Sequence, residues 1–349
     1  MEDSDRAHFE QYVKQNRVFI LGAGFSAAAG IPLTEDLLPQ AMKKFSVECP
    51  GIYSRVENYA KECVGSADGN LDLFKIGFSE LCTFLEFIEL REYGGGERWC
   101  DNGSREKLAL RFYLAKTIAE NTPSASTLPQ LYLNFASQLY ERDIVISLNW
   151  DCLLETAIEA VGRRYTYNFS DEGAIKLCKL HGSVNWRLGD PNQWGTPVNT
   201  LGWQSMDFTK GMMTREIYYS ISLLQYSTWH RYAPLGELDP FLVLPGYGKA
   251  FDVRANAVLW YKPEFAFATT RDVFIIGLGL AHDDFFVRSY FLSNLPYIRS
   301  NGRRIFIVNP DKTASSNYEF VLRHGHAELM DTPFSQEHVE LMARRRCDA

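Results

Sequence analysis

The chain has 349 residues, 46% hydrophobic and 23% charged, which is the composition of an ordinary globular protein able to bury a sizeable core. A formal charge of −7 and a pI near 5.6 argue against a broad nucleic-acid-binding surface, so direct nucleic-acid binding has no support beyond a local groove. No apolar run approaches membrane-spanning length, and the opening MEDSDRAHFE is acidic and polar, unlike a secretory leader.

In chain order, Arg17–Leu21 is a short apolar run that predicts a buried parallel strand. It enters the turn Gly22-Ala23-Gly24, and the small residues Ser26 to Ala29 then suit a helix start. Glycine permits a tight turn and close approach of a ligand to the backbone. The N–H groups of a helix start favour a phosphate. The spacing departs from the usual dinucleotide fingerprint, because Gly30 follows Gly24 by six residues rather than three. A tight turn that binds nothing would use the same residues.

From 50 to 127 the periodicity is helical, over Ile52–Val64, Leu71–Arg91 and Arg105–Asn121, with a glycine-rich polar loop at Glu92–Ser104. This predicts a helical insertion. A helix over Leu128–Arg142 then precedes a strand at Asp143–Ser147, and a helix over Asp151–Val161 follows it. Asn149 and Asp151 thus stand at the carboxyl end of a strand, where open parallel sheets bind ligands. The Asn149 amide can both donate and accept, which suits holding a water or a ribose hydroxyl. Asp151 serves equally as a helix cap or as a ligand contact.

The next strand, Ile175–Leu180, ends at His181 in the segment KLHGSVNW. A lone histidine is usually structural. Beside a phosphate loop and Asn149, it is the side chain best suited to proton transfer near neutral pH. Residues 187–240 form a second insertion rich in Trp, Tyr, Gly and Pro, with one helix expected near Ile217–His230. The strand Asp272–Ile276 runs into Gly277-Leu278-Gly279-Leu280, and Asp283 or Asp284 caps a helix over Asp283–Asn294. A last strand, Arg304–Val308, ends at Asn309, whose amide suits an adenosine ribose. The run Arg344-Arg345-Arg346 reads as a solvated helix end. Strands alternating with helices predict an α/β protein with a parallel sheet covered on both faces, one domain over 1–349 carrying the two insertions.

The seven cysteines are scattered and include no C-x-x-C pair, so neither a disulfide framework nor a zinc site is legible, and a reducing cytoplasm is the expected compartment.

Together the GAGFSAAAGIP loop, the SLNWD strand end, the KLHGSVNW segment and the IIGLGL turn resemble the sirtuin-like superfamily, in its zinc-less bacterial NADase branch. The resemblance runs in the family's order from Val18 to about Asn309. It implies an inverted Rossmann-like domain that binds NAD. Gly22, Ala23, Gly24 and Ser26 would cradle the pyrophosphate, and Ile31 and Asp151 would lie near the nicotinamide. Asn149 and His181 would be the catalytic pair, with Gly277, Leu278 and Asn309 on the adenosine side. The four zinc-ligating cysteines of protein-deacylating sirtuins have no counterpart, and Leu33-Thr34-Glu35-Asp36 stands where those proteins usually carry Phe-Arg. The implied activity is NAD+ hydrolysis to nicotinamide and ADP-ribose, depleting NAD in anti-phage defence, with NAD as substrate and no metal. A homo-oligomer is implied, with a neighbouring-gene partner such as a HerA-type DNA translocase or a short Argonaute. NAD-dependent protein deacylation, or a non-catalytic module binding NAD or ADP-ribose, remain the alternatives.

Overall fold

The computed structural model describes residues 17–63, 77–90, 104–167, 169, 171–189, 196–197, 216–219, 240–246, 249, 257–261, 263–282, 284–299, 304–322 and 327–347. Eleven strands are found among them. Seven form one sheet: β1 (Arg17–Leu21), β2 (Ile144–Ser147), β3 (Tyr165–Thr166), β4 (Ile175–Lys179), β9 (Asp272–Ile276), β10 (Arg304–Val308) and β11 (Ala327–Met330). The other four form a smaller sheet: β5 (Gly182–Gly189), β6 (Thr196–Pro197), β7 (Glu216–Tyr219) and β8 (Pro240–Leu242).

The large sheet has the order β11-β10-β9-β1-β2-β4-β3, and every pairing in it is parallel. It is the α/β architecture with a parallel sheet that the alternation predicts, and it is Rossmann-like, as the resemblance implies. All five residues of β1 and all five of β9 are buried, as strands covered on both faces must be. β9, β10 and β11 lie on one side of β1 and β2, β4 and β3 on the other, so the chain reverses its winding at β1. A crevice outside the carboxyl end of the central strand follows from that reversal.

The predicted boundaries of β1, β9 and β10 coincide with the observed ones. β2 begins one residue later than predicted, because the Asp143 side chain turns to Arg17. Its Oδ2 accepts from Nη2 at 2.5 Å, in a buried ion pair joining the starts of β1 and β2.

Two apolar cores result. The larger surrounds the seven-stranded sheet. The smaller lies among the helices Thr34–Glu48, Pro50–Cys63, Phe78–Leu90 and Ser104–Asn121. The segment through β8 joins them by period-two alternation: Phe241 and Val243 enter the first core, Leu242 and Leu244 the second.

One expectation is corrected, one lies outside the described residues, and one helix was not anticipated. The helix near Ile217–His230 is corrected at its start, where Glu216–Tyr219 is a strand antiparallel to β5; residues 220–239 lie outside the described residues. The polar loop at 92–104 also lies outside them, apart from Ser104, which begins a helix. The helix Thr34–Glu48 was not anticipated, although its buried residues Leu37, Leu38, Ala41, Met42 and Phe45 have helical spacing; Pro39 inside it masks the pattern.

The turns after β1 and β9 nest against each other. A Cβ on Gly277 would lie 2.1 Å from the Phe25 nitrogen, and its φ is +64°. Gly277→Ala should therefore cost about 3 kcal/mol or more in a urea denaturation. Gly30→Ala, also at positive φ but with open space around it, should cost only about 1 kcal/mol. Equal losses in the two variants would contradict the nested packing.

Candidate active site

A cavity of about 420 Å³ opens at the carboxyl ends of β1, β2, β4 and β9. Asn149 and His181 both line it. So do Gly22, Ala23, Ser26 and Ile31 from the chain after β1, Asp151 after β2, and Gly277 and Leu278 after β9.

The strand-end loops converge because the ladders continue past the strands. The Leu148 N–H bonds the Leu21 carbonyl at 2.9 Å, and the Leu180 N–H bonds the Ser147 carbonyl at 3.0 Å. The Trp150 indole then donates to the His181 carbonyl at 2.9 Å, and Val184 N–H to the Trp150 carbonyl at 2.9 Å. The two segments carrying Asn149 and His181 are thereby tied to one another.

Asn149 is buried. Its Nδ2 donates to the Gly22 carbonyl at 2.9 Å and to Ser26 Oγ at 3.1 Å. With both amide protons used, Oδ1 is the atom left to accept a hydrogen bond. Ser26 Oγ in turn donates to Asp151 Oδ2 at 2.9 Å. Asp151 Oδ1 accepts from the Leu153 N–H at 3.0 Å, at the first turn of the helix Leu153–Ala160. Both Asp151 oxygens thus hold structure together, in the manner of the capping alternative, while the residue also lines the cavity.

The glycine turn acts differently from the sequence expectation. Gly22 N–H donates to the Ile276 carbonyl and Gly24 N–H to the Gly277 carbonyl, each at 2.9 Å. A Cβ on Gly22 would lie 2.6 Å from the Leu278 Cα. These glycines are needed for the approach of two loops, and their N–H groups are already committed. Gly24 and Asn309 are not among the residues lining the cavity. Asn309 instead supports its wall: its Nδ2 donates to the Leu278 carbonyl at 3.0 Å, beside the Tyr318 hydroxyl, also at 3.0 Å.

His181 is partly exposed, and its Nε2 is buried without a hydrogen-bond partner among the described residues. The ring packs against Trp260 with centroids 6.1 Å apart. Burial first, and then the Lys249 ammonium, hold its proton affinity well below that of a free imidazole; Asp284 and a hydrogen bond with the Leu148 backbone oppose them. The ring is neutral near pH 7. With Nε2 free of a partner among the described residues, that nitrogen can carry the lone pair a base requires.

Beneath the site lies a buried polar network that sequence reasoning missed. Lys179 Nζ bonds the Asp151 carbonyl and pairs with Glu155 Oε1 at 2.9 Å. The Tyr167 hydroxyl donates to the same Oε1 at 3.0 Å, and Asn185 Nδ2 donates to that hydroxyl at 3.1 Å. Lys249 and Asp284, on the cavity wall, were missed as a pair; Asp284 was anticipated only as a cap, which it is, accepting from the Val287 N–H at 3.1 Å. A charged residue at a buried strand end is the one signal that could have flagged Lys179. Nothing local pairs Lys249 with Asp284. Among the described residues no group of three or more His, Cys, Asp or Glu side chains is arranged to hold a metal ion, and no helix is long and apolar enough to cross a membrane.

A Rossmann-like α/β protein with a cavity at the point where the strand order reverses is the class that fold and site define. No protein-family model matches the chain, and no curated protein matches it. Among solved structures it is similar to a sirtuin from a study of sirtuin substrate affinity, at 14% identity and a TM-score of 0.40 over 100% of both chains. It is also similar to Sir2Tm bound to a propionylated peptide, at 14% identity and a TM-score of 0.41, covering 100% of this chain and 98% of the other. A third is Sir2 in complex with an inhibitor, 2'-O-acetyl-ADP-ribose and a deacetylated p53 peptide, at 15% identity, a TM-score of 0.39 and coverage of 96% and 94%.

Proposed function

We propose that this chain is an NAD+ glycohydrolase, cleaving the nicotinamide–ribose bond to release nicotinamide and ADP-ribose. The observation that carries the reading is that Asn149 and His181, from different strand ends, line one cavity with the turns after β1 and β9. The motif resemblance to zinc-less NAD-consuming sirtuin-like proteins supports it, and so does a cavity of about 420 Å³, a volume within the range of small-molecule sites.

Cleaving an N-glycosidic bond builds positive charge at the anomeric carbon and needs a water held against the opposite sugar face. Asn149 Oδ1 orients that water, since its amide nitrogen is already engaged. His181 Nε2 takes one proton from it as the water oxygen bonds the anomeric carbon, and nicotinamide leaves with the C–N electron pair. Ile31 and Asp151 shape the nicotinamide end, and Ala23, Ser26 and Leu278 line the rest of the dinucleotide's path. On this reading the protein depletes NAD in anti-phage defence, as a homo-oligomer, under the control of a neighbouring-gene partner such as a HerA-type DNA translocase or a short Argonaute.

The test is incubation of the protein with NAD, alone and with the product of the neighbouring gene, followed by chromatography. Equimolar nicotinamide and ADP-ribose are expected. O-acetyl-ADP-ribose formed only when an acyl-lysine peptide is added would establish a deacylase instead. Tight NAD binding in calorimetry with no nicotinamide under any condition would establish a binding module.

A further inference from the structure

Two oppositely charged side chains meet on the wall of the same cavity. Lys249 arrives from the segment after β8, and Asp284 from the start of the helix Phe285–Arg299. The Lys249 ammonium lies 2.8 Å from Asp284 Oδ1 and 2.9 Å from Oδ2, and Lys249 is only 5% exposed. Asp284 cannot drift, because Oδ1 also accepts from the Val287 N–H. The pair therefore fixes a carboxylate on the cavity that contains the unpartnered Nε2 of His181.

Among the described residues, few other charges lie around His181. Glu35, from the helix Thr34–Glu48, also lines the cavity. Asp151 has both oxygens engaged by Leu153 and Ser26. On the strand leading to His181, Lys179 is paired with Glu155. Behind the imidazole stands Trp260, and beyond it Tyr290. Among the described residues, Lys249 and Asp284 are the charged groups that shift the His181 proton affinity, in opposite senses.

We propose that Lys249 and Asp284 are a positioning pair for His181: Asp284 supplies the counter-charge to the imidazolium formed during turnover, and Lys249 holds that carboxylate in place. The inference rests on the hydrolase reading for the moment at which His181 gains its proton. At rest the ion pair is neutral overall, and His181 stays unprotonated. When Nε2 takes the proton of the attacking water, the new cation is stabilised by the fixed carboxylate. The proton then leaves to solvent.

The experiment compares Lys249→Met, Asp284→Asn and the double variant. One readout is the titration of the His181 imidazole by heteronuclear NMR, its resonance identified by its loss in His181→Gln. Lys249→Met should raise the His181 midpoint by about one pH unit or more, since the Asp284 carboxylate then lacks its counter-ion. Adding Asp284→Asn should pull the midpoint back down. The second readout is kinetic: Asp284→Asn alone should lower kcat about tenfold with KM for NAD unchanged. A midpoint unmoved by Lys249→Met, or not reversed in the double variant, overturns the proposal. So do kcat losses that simply follow a fall in Tm, which would mark a structural bridge. The NMR arm needs no turnover, so absence of nicotinamide release would sink the hydrolase reading while still leaving the pair tested.

Discussion

Alanine at His181 should cut nicotinamide release from NAD about 10²–10⁴-fold, the range for a lost general base, and alanine at Asn149 should cut it about a hundredfold or more. The two should differ in what else they disturb. His181 makes its anchoring contacts through the backbone, its carbonyl accepting from Trp150 and from Val243. Removing the imidazole leaves those in place and gives up only the ring's bond with the Leu148 backbone and its packing on Trp260, so the His181→Ala variant should lose less stability than Asn149→Ala. Asn149 uses its side chain to hold the Gly22 carbonyl and Ser26 Oγ. Its loss should cost about 1–2 kcal/mol of stability through the abandoned partners as well as the activity. Thermal melts run beside the chromatographic assay separate the two effects. Turnover persisting in both variants would remove the pair from the chemistry.

The second large effect concerns the floor of the site. Lys179→Met should destabilise the protein by about 3–5 kcal/mol, because it strands the Glu155 carboxylate in the interior. Lys179 is 1% exposed and Glu155 4%. Burial alone would lower the lysine's proton affinity, yet Glu155, with smaller help from Cys152 and Asp151, raises it above the ordinary value. The sign of the pH dependence follows. A cation whose affinity is raised by folding contributes fully below its unfolded value and loses that contribution only as pH climbs through the raised one. The loss on substitution should therefore be undiminished at neutral pH in urea denaturation curves. The same ammonium also bonds the Asp151 carbonyl, so Lys179→Met should loosen the loop that carries Asn149 and lower NAD turnover too. A destabilisation below about 1 kcal/mol would show that the pair contributes little to holding that loop.

How much of this was legible beforehand depends on the element. β1, β9 and β10 could be bounded to the residue because strands covered on both faces are apolar runs, opened here by Arg17, Asp272 and Arg304 and closed by Gly22, Gly277 and Asn309. β11 offers no such run: Ala327–Met330 is only partly buried, at the edge of the sheet, and its residues alternate in no useful way. β3 is two residues long and exists only because β4 is there to pair with it. β7 was taken for the start of a helix, since aromatic residues beside a charged one suit either structure until a partner strand decides.

The site divides in the same way. The sequence alone determined which residues stand at strand ends and which residue types gather there: the glycine turn, Asn149, His181 and the second glycine turn at Gly277. Those are local properties of backbone pattern and side-chain chemistry. Tertiary structure alone decided that Asn149 and His181 share a cavity, that the Gly22 and Gly24 N–H groups go to the β9 turn, and that Lys249 meets Asp284. The order of strands in a sheet is set by packing between distant segments, and a hydrogen-bond partner far along the chain leaves no mark on the residues beside its donor.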